Sequence, residues 1–393
     1  MFYVAASLAA EPPFDREGLV RAVLEQNPSL AAAQAESEAA DVRPVQARAW
    51  DDPMLSYMAA PASLGGDFGN TVRLSQRLPF PGTRALAAEA LDGEADATRG
   101  DATALRLRLA AEASQLFDAH VLAVEAITLS HAHRALLEEL RVATETRFRA
   151  GQGSLADSIQ AEQALAMLER DRIGLEAERA SVVARLNGLL HRPTGALLAS
   201  PALPVAPVVL PQSAVAPPEL AAAAARTQAA EAMRDADARE RFPGLEVMGE
   251  YSSMWDEPMH QWTLGVAIEV PLHGRRRTAA VDEAAAMLRA AEAELAAVGD
   301  EVAVAAVEAR LAYDAARAGL ALTEARLVPL ARARLAAATD AWRTGGGTFV
   351  DVIDAARMLR DAELELALAR ATTQQTAAEL ARASGFLPIG GTP

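Results

Sequence analysis

Four short stretches of the chain alternate apolar and polar residues. In Thr71–Leu78, Val72, Leu74 and Leu78 fall on one face and Thr71, Arg73, Ser75 and Arg77 on the other, with Gln76 the exception. In the stretch to Val270, Trp262, Leu264, Val266, Ile268 and Val270 fall together. Leu245, Val247 and Tyr251 oppose Glu246, Met248 and Glu250, and Leu55 and Tyr57 oppose Met54, Ser56 and Met58. A period of two is that of a strand with one apolar and one polar face. Strands are therefore predicted over about 53–59, 71–78, 245–252 and 261–270. The rest reads as helix, over roughly 15–49, 217–240 and two far longer stretches, each turning back at a Gly-rich tip. No proline occurs from Gly82 to Arg192, and a helix over 84–148 would be about 97 Å long at 1.5 Å per residue. Its counterpart over 275–343 contains Pro329, which should kink it.

The chain echoes itself. Leu78-Pro79-Phe80-Pro81-Gly82 has a counterpart in Val270-Pro271-Leu272-His273-Gly274, with Pro79 and Pro271 separated by 192 positions. Ala150-Gly151-Gln152-Gly153-Ser154 has one in Thr344-Gly345-Gly346-Gly347-Thr348, with Gly151 and Gly345 separated by 194. Two landmarks holding nearly one shift indicate a duplication. The expected organisation is a start at 1–14, a first repeat at 15–192, a Pro-rich linker at 193–216, a second repeat at 217–386 and a tail at 387–393. The start, Met1 to Ala10, is apolar and ends in small residues like a secretory signal, which points to export.

Composition narrows the function. The net charge of −16 argues against nucleic acid, because phosphate binding needs a basic face. With 51% hydrophobic residues the chain is no disordered acidic tail. There is no Cys and no Lys, so disulfides, thiol nucleophiles and lysine chemistry are excluded. No Ser-nucleophile motif, Gly-rich phosphate loop or His-Glu-x-x-His sequence is present, and the chain is not read as an enzyme. No cofactor is called for. The abundant Ala suggests long helices that approach closely and need neighbours.

Aromatics make up only 4% of the chain, yet Tyr57, Phe80, Phe242, Tyr251, Trp255 and Trp262 lie in or beside the four strands. Strands of this length, apolar on one side and flanked by aromatics, suit an outer-membrane barrel, with Tyr57, Tyr251, Trp255 and Trp262 as its interfacial aromatics. A small soluble sheet packed on helices is the plainer alternative. Four strands cannot close a barrel, and open edges cannot face lipid. A membrane reading therefore requires oligomerisation, and three chains supplying twelve strands is the simplest closed solution.

The corner Leu78-Pro79-Phe80-Pro81-Gly82 and the two tips, Arg149 to Asp157 and Gly345 to Asp354, resemble the TolC-like outer-membrane efflux family, and the likeness runs through both halves. The resemblance implies a mainly α fold with a small antiparallel β part. Three chains would form a transmembrane β-barrel on a long α-helical barrel that extends through the periplasm of a Gram-negative bacterium. It also implies docking of a periplasmic adaptor and an inner-membrane pump at the tips, through Arg149, Gly151, Ser154, Asp157, Gly345, Gly347 and Thr348. The stretches Trp50 to Met58 and Met254 to Val270 look most like the heavy-metal branch of that family.

Local chemistry accounts for much of the tips without a partner. Gly151 and Gly345 can end helices in the left-handed conformation. Ser154 and Thr348 are natural N-caps, each with Asp three residues later, Asp157 and Asp351. Asp354 lies a turn further in and shares a face with Asp351, which it should repel. By resemblance, Asp351 and Asp354 are aperture gate residues, forming two rings of three carboxylates that attract cations. Better-known relatives carry an Arg where this chain has Gly347, so the closed state should be locked differently. Met248, Met254, Met259, His260 and His273 gather near the second hairpin, but their spacing is that of no ligand set and no metal site is called. The rival to a duct is a soluble coiled-coil scaffold or adaptor of the cell envelope, which explains the helices and acidity but not the aromatic-flanked strands.

Overall fold

The computed structural model describes residues 15–60, 69–201, 205–210, 215–255, 257–270 and 272–389. The signal-like start lies outside them. Each half runs helix, β-hairpin, helical hairpin. The first half contains α1 (Arg16–Gln26), α2 (Pro28–Arg48), β1 (Met54–Ala60), β2 (Gly69–Leu78), α3 (Thr83–Arg149) and α4 (Leu155–Leu189). The second contains α5 (Pro218–Arg239), β3 (Gly244–Ser252), β4 (Trp262–Glu269), α6 (Gly274–Leu322), a π-helical turn (Thr323–Leu327), α7 (Val328–Thr344) and α8 (Phe349–Ala383).

Two expectations about helix continuity change. The helix expected over 15–49 is two helices, parted at Asn27-Pro28. Asn27 stops the first with an extended backbone, and its Oδ1 accepts from the N–H groups of Ser29 and Leu30 at the start of the second. Where a kink was expected at Pro329, a π-helical turn ends at Leu327, two residues before it. A widened turn absorbs a proline, which lacks an N–H and crowds the preceding turn. By contrast, α3 runs unbroken for 67 residues.

The chain forms two compact units, each assembled from both halves. One comprises Met1–Ala31, Ala104–Pro217 and Val302–Pro393; the other comprises Ala32–Thr103 and Pro218–Glu301. In the first, Leu19, Val20 and Val23 of α1 pack on Leu107, Ala110 and Phe117 of α3 and on Leu186 of α4. Leu387, from the expected tail, joins this core. Val208, from the expected linker, is buried against Ala377 and Ala378 of α8. Arg16 enters the same unit as a buried cation. It pairs with Asp118, donates to the Ala206 carbonyl at 2.8 Å and lies 5.6 Å from the Phe117 ring centre.

In the second unit small residues set the helix spacing. A Cβ on Gly100 of α3 would come within 2.8 Å of the Ala222 Cβ on α5. That contact leaves no room for a side chain at Gly100 unless Ala222 shifts, in keeping with the close helix approach that the Ala-rich sequence implied. The strand-to-helix corner of the same unit is aromatic. Phe80 and Phe242, one from each half, stack with ring centres 4.6 Å apart, and Arg84 lies 3.5 Å over the Trp50 ring.

Candidate functional site

The four strands make one antiparallel sheet in the order β1-β2-β3-β4. The two hairpins are joined through β2 and β3, so the sheet holds the halves of the chain together. Register is uniform across it. Tyr57 pairs with Val72, Val72 with Tyr251, and Tyr251 with Trp262. One level away, Leu55, Leu74, Gly249 and Leu264 form a second row. Side chains at paired positions lie on the same face, so the apolar residues of four strands coincide on one side. Gln76 stays on that side, and its amide donates to the Asp51 carbonyl at 2.7 Å.

Among the described residues, nothing covers this apolar face. Leu264 is 91% exposed, Trp262 72% and Leu55 70%. The opposite face is polar and internally paired. Arg73 bonds Glu250 across the strands at 2.7 Å, Arg77 bonds Glu269 at 2.5 Å, and the Thr71 and Ser252 hydroxyls lie 3.2 Å apart. Ion pairs on one side and bare leucines on the other invert the arrangement of a sheet packed on its own helices. A contiguous apolar face of this kind marks an interaction with lipid or protein. β1 and β4 are the sheet's two edges, each with one paired neighbour, and carry open backbone donors and acceptors.

Three of the four expected aromatics share one row. The Tyr57 hydroxyl is 2.6 Å from Asn70 Oδ1, and the Tyr251 and Trp262 rings are 5.1 Å apart. Trp255 lies past the end of β3, exposed, with its ring edge toward His260. His260 in turn pairs with Glu257 at 3.1 Å. Among the described residues, no group of three His, Asp or Glu is arranged to hold a metal ion, and no helix is long and apolar enough to cross a membrane.

The two tips are built alike. Gly151 and Gly345 have φ of +72° and +81°, the left-handed region where glycine is unstrained. Ser154 and Thr348 then cap α4 and α8, each within a complete capping box with Asp157 or Asp351. Thr348 donates to the Asp351 carboxylate from its hydroxyl at 2.6 Å and its N–H at 3.1 Å. These bonds hold the Asp351 carboxyl below its usual range. Asp354 is exposed beside it but is not left to repulsion alone, because Arg357 comes within 4.0 Å. Gly347 packs closely: a Cβ there would lie 3.0 Å from the Ala341 Cβ. Any side chain at this position would press on Ala341. Arg149 pairs with Glu145 of its own helix.

A different arginine joins the tips. Arg147 of α3 donates to the Trp342 carbonyl of α7 at 3.0 Å, and its guanidinium lies 4.8 Å from the Trp342 ring centre. Trp342 packs against Phe349, and both belong to a buried cluster with Leu137 and Leu140 of α3, Ala161 of α4 and Val352 of α8. The repeat gave no sign of Arg147, since the position 194 residues on is Ala341.

Residues 209–386 match the family described as outer membrane efflux protein. The match covers most of the second half of the chain. No curated protein sequence matches the chain, but solved structures match its fold over almost all of its length. The outer membrane protein VceC from Vibrio cholerae superposes with a TM-score of 0.81 at 19% identity, covering 94% of this chain and 96% of that one. CusC superposes with a TM-score of 0.82 at 18% identity, covering 98% and 95%. The MtrE outer membrane channel of Neisseria gonorrhoeae gives 0.80 at 20% identity, covering 95% and 90%. These likenesses are equally strong and so do not single out a branch of the outer membrane efflux family.

Proposed function

We propose that this protein is the outer-membrane duct of a tripartite efflux system. Three copies close their open edges, β4 of one on β1 of the next, into a twelve-stranded barrel. The bare apolar face then meets lipid, and the ion-paired face with Arg73, Glu250, Arg77 and Glu269 lines water. The observation that carries this reading is the coincidence of an uncovered apolar face with two unpaired edges in one sheet. Either feature alone is a liability in water, and a closed barrel in a membrane removes both. The soluble scaffold leaves both unexplained.

The tips face the periplasmic partners. Gly151, Ser154, Asp157, Gly345, Gly347 and Thr348 form compact capped turns that an adaptor grips, with the inner-membrane pump beyond. Arg149 is exposed there as a charged contact. Asp351 and Asp354 repeat three times around the aperture and draw cations. The cargo is a small solute passed on by the pump, with heavy-metal cations as the candidate suited to acidic rings. Fractionation tests the duct directly. Recovery in the outer membrane, released only by detergent, is expected. Recovery in the soluble fraction without detergent would overturn it.

A further inference from the structure

Two sets of unmatched charges sit at one end of the sheet, one at each open edge. Asp51 and Asp52 come just before β1, and Arg275 and Arg276 open α6 shortly after β4 ends. All four are exposed. Their carboxylates and guanidinium groups have no hydrogen bond or ion pair among the described residues. The arginines around them are used within the chain. Arg48 pairs with Asp92, Arg84 donates to the Arg48 carbonyl at 3.0 Å, and Arg277 donates to the Glu240 carbonyl.

The way the edges pair decides whether these charges meet. Every neighbouring pair in the sheet is antiparallel, so β1 and β4 run in opposite directions. β4 of one chain can therefore join β1 of the next as one more antiparallel pair. Pairing Trp262–Glu269 with Met54–Ala60 over their full length lays the segment after β4 beside the segment before β1. Arg275 and Arg276 then come to Asp51 and Asp52 of the partner subunit. Two-fold pairing of like edges has the opposite result. Antiparallel β1 on β1, or β4 on β4, leaves the charged segments at opposite ends of the seam.

We propose that Arg275 and Arg276 pair with Asp51 and Asp52 of the partner subunit below each seam of the barrel, and that this match selects head-to-tail closure over two-fold pairing of like edges. The inference rests on the ring of three proposed above and names the side chains that fix its order. Charge pairs at the rim of an interface set register and partner choice more than they add affinity. A head-to-tail ring repeats the same match at every seam, whereas a two-fold dimer satisfies none of these charges.

The test is charge reversal, read as the oligomer population of the detergent-extracted membrane fraction by sedimentation velocity. Arg275→Glu with Arg276→Glu should lower the trimer by about fivefold or more, because like charges then meet at every seam. Asp51→Arg with Asp52→Arg should do the same. All four changes together reverse each pair without removing it and should restore the trimer, which also shows that the altered chains fold. Arg241→Glu changes an equally exposed arginine, next to the central strand β3 and away from both edges, and should leave the trimer in place. A trimer undiminished by either reversal would overturn the proposal and leave the duct standing. So would a fourfold variant no better than its parents, or an equal loss in Arg241→Glu, the result expected if these arginines meet anionic lipid headgroups instead. An unaltered protein that sediments only as a monomer would overturn the ring itself and this pairing with it.

Discussion

Arg147 and Trp342 lie 195 residues apart in sequence and meet at the tips, guanidinium over indole, with the same arginine bonded to the tryptophan's carbonyl at 3.0 Å. The contact fastens one helical hairpin to the other. Replacing Arg147 by Ala removes a cation–π contact and a hydrogen bond, together about 1.5–2 kcal/mol of local stability. Faster amide hydrogen exchange is expected through Trp342–Ile353, with the sheet unaffected. Exchange unchanged at the tip would show that the cluster beneath it holds the hairpins without Arg147.

The facing of the sheet is testable at adjacent residues. Leu264 is 91% exposed and Thr263 lies on the polar face. In water Leu264→Arg would change stability by about 0.5 kcal/mol or less, but against lipid it costs about 2–4 kcal/mol at mid-depth. Membrane assembly should therefore suffer in Leu264→Arg and persist in Thr263→Arg, as read from heat-resistant oligomers in the membrane fraction. Equal yields would reject the assignment of faces.

For the aperture, Asp351→Ala combined with Asp354→Ala should lower cation selectivity in planar bilayers, seen as a reversal potential moving toward zero. Asp351 is held ionised by Thr348, its carboxyl below the usual range. Its contribution is therefore present above the ordinary carboxylate pKa and is lost only as pH falls below it. Selectivity of the unaltered protein should hold from pH 7 to pH 5. A double variant with unchanged selectivity would remove these acids from the gate.

Asp118 titrates in the opposite sense. Its pKa is raised from 3.8 to about 6, so the folded state favours the protonated form. The stabilisation is fully present below the unfolded value and is lost as pH rises through about 6, on the order of 3 kcal/mol across that window. Asp118→Asn should flatten the thermal-stability profile between about pH 4 and pH 6. An unchanged profile would mean that the carboxyl is not desolvated as the structure has it.

Much of this was legible in the residues. Period-two alternation placed β2 over 71–78, and the structure extends it only to 69–78. Gly151 and Ser154, like Gly345 and Thr348, announced their turns because cap chemistry is local. Interactions across distant segments left no such trace. Arg147 reads as one more helical arginine until Trp342 is beside it, and Arg16 and Asp118 are 102 residues apart with no shared pattern. The break at Asn27 was missed because the apolar spacing continues through it. The constraint at Gly347 depends on the nearness of Ala341, which only the folded turn reveals.

The central claim is that the open strands β1 and β4 pair between chains in a closed ring of three. Because the chain has no Cys, cysteines can be placed without background, scanning β1 around Ser56 and β4 around Thr263 in pairs. Oxidation of the membrane fraction should give covalent dimers and trimers for pairs in register, and no species above three. Only monomers across the whole scan, or products beyond the trimer, would contradict the account.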